Sequence, residues 1–181
     1  MKQPITFLVW TENTPGVLIR LASLFSRRKI NIDSLTVSET EVCSISRFTL
    51  VITVEAGLAA TIGRQIERMI EVRRVIVSTE PWVVHREIVM FRAKISQDTE
   101  TSLRKRYPAL RVIEKNDAGY LIEFSGTTDQ IDAISDELRE NGLSEFVRSG
   151  RVALTQSGNY EHDLARSLHE LRPEAHQGPD F

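Results

Sequence analysis

An α+β fold made of two tandem βαββαβ units is what the sequence predicts, and three observations carry that prediction. Runs with an apolar period of two alternate with runs of helical period, in the order strand, helix, strand, strand, helix, strand. The same order then repeats after Glu80-Pro81-Trp82. A turn sequence, Asn116-Asp117-Ala118-Gly119, falls where the second set needs a hairpin, because Asn, Asp and Gly tolerate positive φ. Each unit is then an antiparallel sheet with two helices on one face, the split βαβ or ferredoxin-like plan.

In the first unit, Gln3–Trp10 is β-prone, and Thr14-Pro15-Gly16 marks a helix start, with Thr14 able to cap and Pro15 suited to the first helical position. Val17, Leu18, Leu21, Leu24 and Phe25 form one apolar stripe, and Arg27-Arg28-Lys29 suits the negative end of the helix dipole. Ile30–Glu39 and Ile45–Val54 read as a hairpin around the polar Thr40-Glu41 region. In its second strand Phe48, Leu50, Ile52 and Val54 alternate with Arg47, Thr49, Val51 and Thr53. Leu58, Ile62, Ile66, Met69 and Ile70 recur at helical spacing before a strand at Val72–Ser78.

The second unit opens with a strand at Glu87–Ile95, followed by a helix at Asp98–Tyr107 that Pro108 stops. Leu110–Glu114 and Tyr120–Ser125 flank the turn. Gly126-Thr127-Thr128-Asp129 opens a helix with Ile131, Ile134 and Leu138 on one face; Gly142 closes it, and Glu145–Leu154 is read as one final strand. The expected division is residues 1–80, residues 81–157 and a polar tail, 158–181, with a short helix around Asp163–Leu171. One face of each sheet lacks helices, so cover by a second copy or a larger partner is expected.

The chain has 181 residues, 41% of them hydrophobic and 27% charged, which fits a globular protein. Its 23 Lys and Arg against 25 Asp and Glu give a net charge of −2, with no global basic field for nucleic acid. The single cysteine, Cys43, excludes an internal disulfide or multi-thiolate metal site and points to a reducing compartment, the cytoplasm. It has no Cys or His beside it in the sequence and is read as an ordinary, partly buried thiol. No stretch has the length of a signal peptide's apolar core or a membrane span. Phosphate-loop, dinucleotide and nucleophile-elbow motifs do not occur. His162, His169 and His176 are spaced seven apart in a tail interrupted by Pro173, so solvated histidines are expected rather than metal ligands. Arg27-Arg28-Lys29, Arg73-Arg74 and Arg104-Lys105-Arg106 are read as helix ends and solvated faces.

One segment suits a ligand. In Glu12-Asn13-Thr14-Pro15-Gly16-Val17-Leu18 a strand ends, Gly16 permits close backbone approach, and a helix start presents unpaired N–H groups with positive partial charge, which favours a carboxylate. Asn31, flanked by Ile30 and Ile32, adds an amide able to donate to a carboxylate or accept from an ammonium. The set suits a free aliphatic amino acid. On spacing alone, capping and turn chemistry account for these residues more readily.

The runs Glu12–Leu18, Leu24–Arg28, Asn31–Val37 and Ser46–Thr49 resemble the ACT domain of the small regulatory subunit of acetohydroxyacid synthase, also called acetolactate synthase. The resemblance continues through Val84–Ile88, Ser125–Thr127, Ile131–Ala133 and Glu145–Leu154 into that family's second domain, and covers most of residues 4–157. Gln97–Lys115 departs from the pattern, and the tail beyond Ser157 extends past it. The resemblance implies a non-catalytic subunit of a transferase holoenzyme, without a cofactor of its own. Its partner would be a large catalytic subunit carrying thiamine diphosphate, Mg²⁺ and FAD, in branched-chain amino-acid synthesis. The small subunit would raise that activity and confer feedback inhibition, commonly by valine. ACT domains of this kind pair as homodimers through a joint sheet with the effector between them. Asn13, Gly16 and Asn31 would then be effector contacts, with Val17 and Ile32 supplying backbone groups or apolar wall.

Two other readings share parts of this pattern. A free-standing amino-acid sensor would use the same site without a synthase. An RNA-binding protein of the RRM type has the same element order but needs several aromatics on its central strands, where Arg47–Ile52 offers only Phe48.

Overall fold

The computed structural model describes residues 1–78 and 83–155. In the first unit β1 (Gln3–Glu12), α1 (Val17–Arg27), β2 (Ser34–Glu39), β3 (Ile45–Val54), α2 (Ala56–Glu67) and β4 (Val72–Ser78) follow one another. The sheet order is β2-β3-β1-β4, antiparallel throughout. β1 is central and apolar on both faces, the composition of a strand covered on both sides. Its Ile5, Phe7 and Val9 join Phe48, Leu50 and Ile52 of β3 under Val17, Leu21, Leu24 and Phe25 of α1 and Ile62 and Ile66 of α2. Phe7 and Phe25 meet edge to face, ring centroids 6.5 Å apart.

The second unit runs β5 (Val83–Ala93), α3 (Gln97–Arg106), β6 (Arg111–Asn116), β7 (Gly119–Gly126), α4 (Thr128–Glu140), β8 (Leu143–Arg148) and β9 (Val152–Thr155). Its sheet has five strands: β6-β7-β5-β8 in order, with β9 paired to the start of β5. Val89, Phe91 and Ala93 of β5 pack with Ile131, Ile134 and Leu138 of α4 and Leu103 of α3.

β5 joins the two units, because every second residue of it is buried over its whole length. Val89, Phe91 and Ala93 belong to its own core. Val83, with Ala153 of β9, instead packs on Leu8, Trp10 and Ile45 across the helix-free face of the first sheet. The cover expected from another molecule is thus supplied there by the same chain. It also closes the face that an RRM-type stacking platform would need.

Several boundaries differ from the sequence reading. Thr14 does not cap α1; Gly16 is its N-cap, with φ +89° and no side-chain cap hydrogen bond. Leu18, Leu58 and Ile70 are exposed: the first two sit at the margins of their stripes, and Ile70 lies beyond the helix end at Arg68. Strand pairing after α1 starts only at Ser34, because residues Lys29–Asp33 turn the chain. The run Glu145–Leu154 is two strands, interrupted at Ser149-Gly150-Arg151 where the chain leaves β8 to pair with the other end of β5. Cys43 is exposed, in the turn that joins β2 to β3. The helix at Asp98–Tyr107 is found at Gln97–Arg106, with Ser96 accepting from the Thr99 backbone N–H. The junction Glu80-Pro81-Trp82, the tail helix and His162, His169 and His176 lie outside the described residues.

Candidate functional site

The helix-start residues and Asn31 lie at opposite ends of α1. Asn13 and Gly16 precede it and Asn31 and Ile32 follow it; with 11 residues at 1.5 Å rise the helix separates them by about 16 Å. A small amino acid cannot touch both groups of one chain.

At the first end, the Asn13 backbone N–H donates to the Ser44 carbonyl at 2.8 Å, and its Nδ2 donates to Glu39 Oε1 at 3.3 Å. α1 begins with no side-chain cap hydrogen bond and no acidic residue in its first turn, so among the described residues neither a cap nor a first-turn carboxylate compensates its first N–H groups and dipole. Arg20, not identified from the sequence, adds charge here. Its guanidinium is 3.3 Å from where a Gly16 Cβ would stand and is paired with Glu71 at 2.6 Å. Val17 is buried in the first core, so it offers only its backbone.

At the other end, Arg28, Lys29 and Ile30 fold back on the last turn of α1: the Lys29 N–H donates to Ser26 O at 2.9 Å and the Ile30 N–H to Phe25 O at 3.1 Å. This is a Schellman closure with Lys29 at φ +55°, the position glycine normally takes. It brings Ala22, Phe25, Lys29, Asn31 and Ile32 to one concave surface. Asn31 is exposed and its Nδ2 donates to Asp33 Oδ1 at 3.4 Å, while Ile32 packs against the first core.

A second cluster lies between the units. Glu87, 4% exposed, accepts from Arg148 Nε on one oxygen and from Thr128 Oγ1 at 2.6 Å on the other. Arg151, 8% exposed, pairs with Glu87 at 3.4 Å and donates to Thr128 Oγ1 at 2.8 Å and to Thr6 Oγ1 of β1 at 3.2 Å. Arg148 also reaches Asp132 at 2.7 Å. Because the one Thr128 hydroxyl proton goes to Glu87, His85 Nε2, 3.1 Å from that oxygen, donates to it. Burial by itself raises the Glu87 pKa, but hydrogen bonds from Arg148 and Thr128 and the charges of Arg148 and Arg151 outweigh it and hold the carboxyl below its usual value. Burial likewise works against the charge on Arg148, and Glu87 and Asp132 more than restore it.

Beside this cluster runs a cleft of about 560 Å³ between Asp33, Ser34 and Thr53 of the first unit and Thr128, Arg148 and Gly150 of the second. In the sequence Glu87, Arg148 and Arg151 stand out only as members of longer runs. The available signal is the placing of His85 and Glu87 in the register of β5 whose other members, Val83, Val89, Phe91 and Ala93, are apolar. Among the described residues no group of His, Cys, Asp and Glu gathers as metal ligands, and no helix is long and apolar enough to cross a membrane.

Residues 7–74 match the family described as the AHAS small subunit-like ACT domain, and residues 86–157 match the family described as the small subunit of acetolactate synthase. The probable acetolactate synthase small subunit of Archaeoglobus fulgidus is 35% identical over 159 residues, covering 86% of this chain and 98% of that protein. The acetolactate synthase small subunit of Mycolicibacterium smegmatis is 32% identical over 153 residues, covering 83% and 90%. The crystal structure of the acetolactate synthase small subunit from Thermotoga maritima superposes with a TM-score of 0.76 at 25% identity, covering 86% of this chain and 98% of that one. With both of its units matched in order, the chain belongs to the family of acetolactate synthase small subunits.

Proposed function

We propose that the protein is the regulatory, non-catalytic subunit of an acetolactate synthase. It activates a large subunit that carries thiamine diphosphate, Mg²⁺ and FAD, and it confers feedback inhibition by a branched-chain amino acid, valine first. Residues 1–80 form the effector-binding and dimerising domain, residues 81–157 the second regulatory domain, and residues 158–181 a polar tail. Biosynthesis of this kind belongs in the cytoplasm, which the lone cysteine also favours.

The observation that carries the effector reading is the uncapped start of α1 at Gly16, separated by the length of the helix from Asn31. Backbone N–H groups at that start suit a carboxylate, with Arg20 beside them. The Asn13 amide gives its N–H to Glu39, which leaves its carbonyl oxygen for an ammonium group. Asn31 and the apolar Ile32 complete the site from a second copy, which sets its own helix end against the first. Inhibition then follows from linkage. An effector that binds better to the arrangement that fails to activate shifts the population toward it, and a coupling of about 1–3 kcal/mol changes activity several-fold or more.

The test is to add the purified protein to its large subunit and measure acetolactate formation with and without L-valine, L-leucine or L-isoleucine. Activation of several-fold, reversed by at least one of the three, is expected. A large subunit equally active with and without the protein would overturn the assignment.

A further inference from the structure

We propose that Arg151, presented by the Ser149-Gly150 turn, is the positioning residue that transmits effector occupancy from the first unit to the second. The inference rests on the effector reading above and adds the route by which that site is felt elsewhere.

The route begins at Asn31, whose Nδ2 donates to Asp33 Oδ1 at 3.4 Å; Thr53 Oγ1 holds the other oxygen of Asp33 at 2.7 Å. The next residue, Ser34, starts edge strand β2 and accepts the Arg151 backbone N–H on its Oγ at 3.1 Å. Gly150 is pressed onto the same strand: a Cβ there would stand 2.4 Å from Thr36 Oγ1 and 2.9 Å from the Leu35 carbonyl oxygen. Only glycine lets the turn come this close. From this contact the Arg151 guanidinium reaches Thr6 on one side and Thr128 and Glu87 on the other. Three residues after Asn31, the first unit therefore touches the turn that carries a buried, two-sided cation.

Two observations fit a contact that is made and released. Thr36 Oγ1 is enclosed without a hydrogen-bond partner among the described residues, a cost that ends when the turn lifts and water reaches it. Beside it the cleft of about 560 Å³ leaves space for β2 and the turn to shift. The second unit has an anchor of its own apart from Arg151, since Arg148 binds both Glu87 and Asp132. Hydrogen bonds of ~3 Å fail after a displacement of about 1 Å, so a small re-aiming of Asn31 and Asp33 is enough to switch the contact. The second unit then moves as a body.

The test separates coupling from binding. Holoenzyme is reconstituted with wild-type, Arg151→Gln or Ser34→Ala small subunit. For each, fold activation, the L-valine Kd of the small subunit by calorimetry and the residual activity at saturating L-valine are measured. For R151Q the expectation is activation within twofold and a Kd within threefold of wild type, with inhibition at saturation at least fivefold weaker. S34A should move the same way by a smaller factor. An arginine that serves only stability would lower the melting temperature and leave saturating inhibition as in wild type, and that result overturns the proposal. If R151Q does not fold, S34A decides, and unchanged inhibition at saturation overturns the proposal equally. Wild type that neither binds nor responds to L-valine, L-leucine or L-isoleucine brings down the effector reading and this inference together. A responsive wild type beside an equally responsive R151Q brings down the inference alone.

Discussion

At Glu87, burial and ion pairing pull in opposite directions, and the outcome sets how stability depends on pH. The carboxylate has two guanidinium partners and a hydroxyl donor, and its pKa lies below the usual value. A carboxyl depressed in the folded state binds fewer protons there than in the unfolded chain between the two pKa values. Its contribution is therefore complete above the unfolded value of about 4.3 and is lost as pH falls through the folded one. Glu87→Gln keeps the shape but leaves Arg148 and Arg151 facing a neutral group, which should cost about 2–3 kcal/mol at pH 7. Urea unfolding from pH 7 downward checks both points: the wild type should lose stability in the acid range, and E87Q should start lower and lose less. Parallel curves would show that the pairing contributes nothing. Sequence alone could not join Glu87 to Arg148, 61 residues away, because the antiparallel pairing of β5 with β8, which sets Arg148 opposite Val89, is what brings them together. The parts of the proposed effector site were legible as local features, a Gly-led helix start and an amide before a strand. Their separation along α1 was not, because it needs the helix laid out in space.

Elements were legible where their ends are locally coded. α4 begins with a capping box, Thr127 accepting from Gln130 N and Gln130 answering to the Thr127 N–H, and those residues announce it in the sequence. The start of β2 was misplaced because Ile30 and Ile32 read as strand, whereas the turn that Lys29 makes at φ +55° holds the chain outside the sheet until Ser34. Nothing in a lysine signals a left-handed conformation, which costs a non-glycine residue about 1–2 kcal/mol. The break between β8 and β9 was hidden for a related reason: Ser149-Gly150-Arg151 sits inside an apolar, strand-like run, and the register change is dictated by the first unit beneath it. Lys29→Gly should relieve the strain and stabilise the protein by about 1 kcal/mol, read as a raised denaturant midpoint with unchanged slope. A lower midpoint would mean that the lysine stem packs on the concave surface it shares with Asn31 and contributes more than the strain costs.

For the whole molecule, the decisive question is whether one effector is held by one chain or by two. The two halves of the proposed site stand about 16 Å apart along α1, so a site that uses both must take the helix start from one copy and Asn31 from the other. Gly16→Ala adds a Cβ at φ +89° beside Arg20 and crowds the carboxylate end, while Asn31→Ala removes the amide end. Each homodimer then carries one defect in every site, and each should bind L-valine at least tenfold more weakly than wild type. In a mixed dimer of the two variants, one site combines both defects and the other is built from the undamaged halves of each chain. Random mixing makes half of the dimers mixed, so about a quarter of all sites should regain wild-type affinity in calorimetry. If each site lay within one chain, mixing would leave every site with its own defect and no tight phase would appear. The reappearance of tight binding from two weak binders has no explanation in a single-chain site.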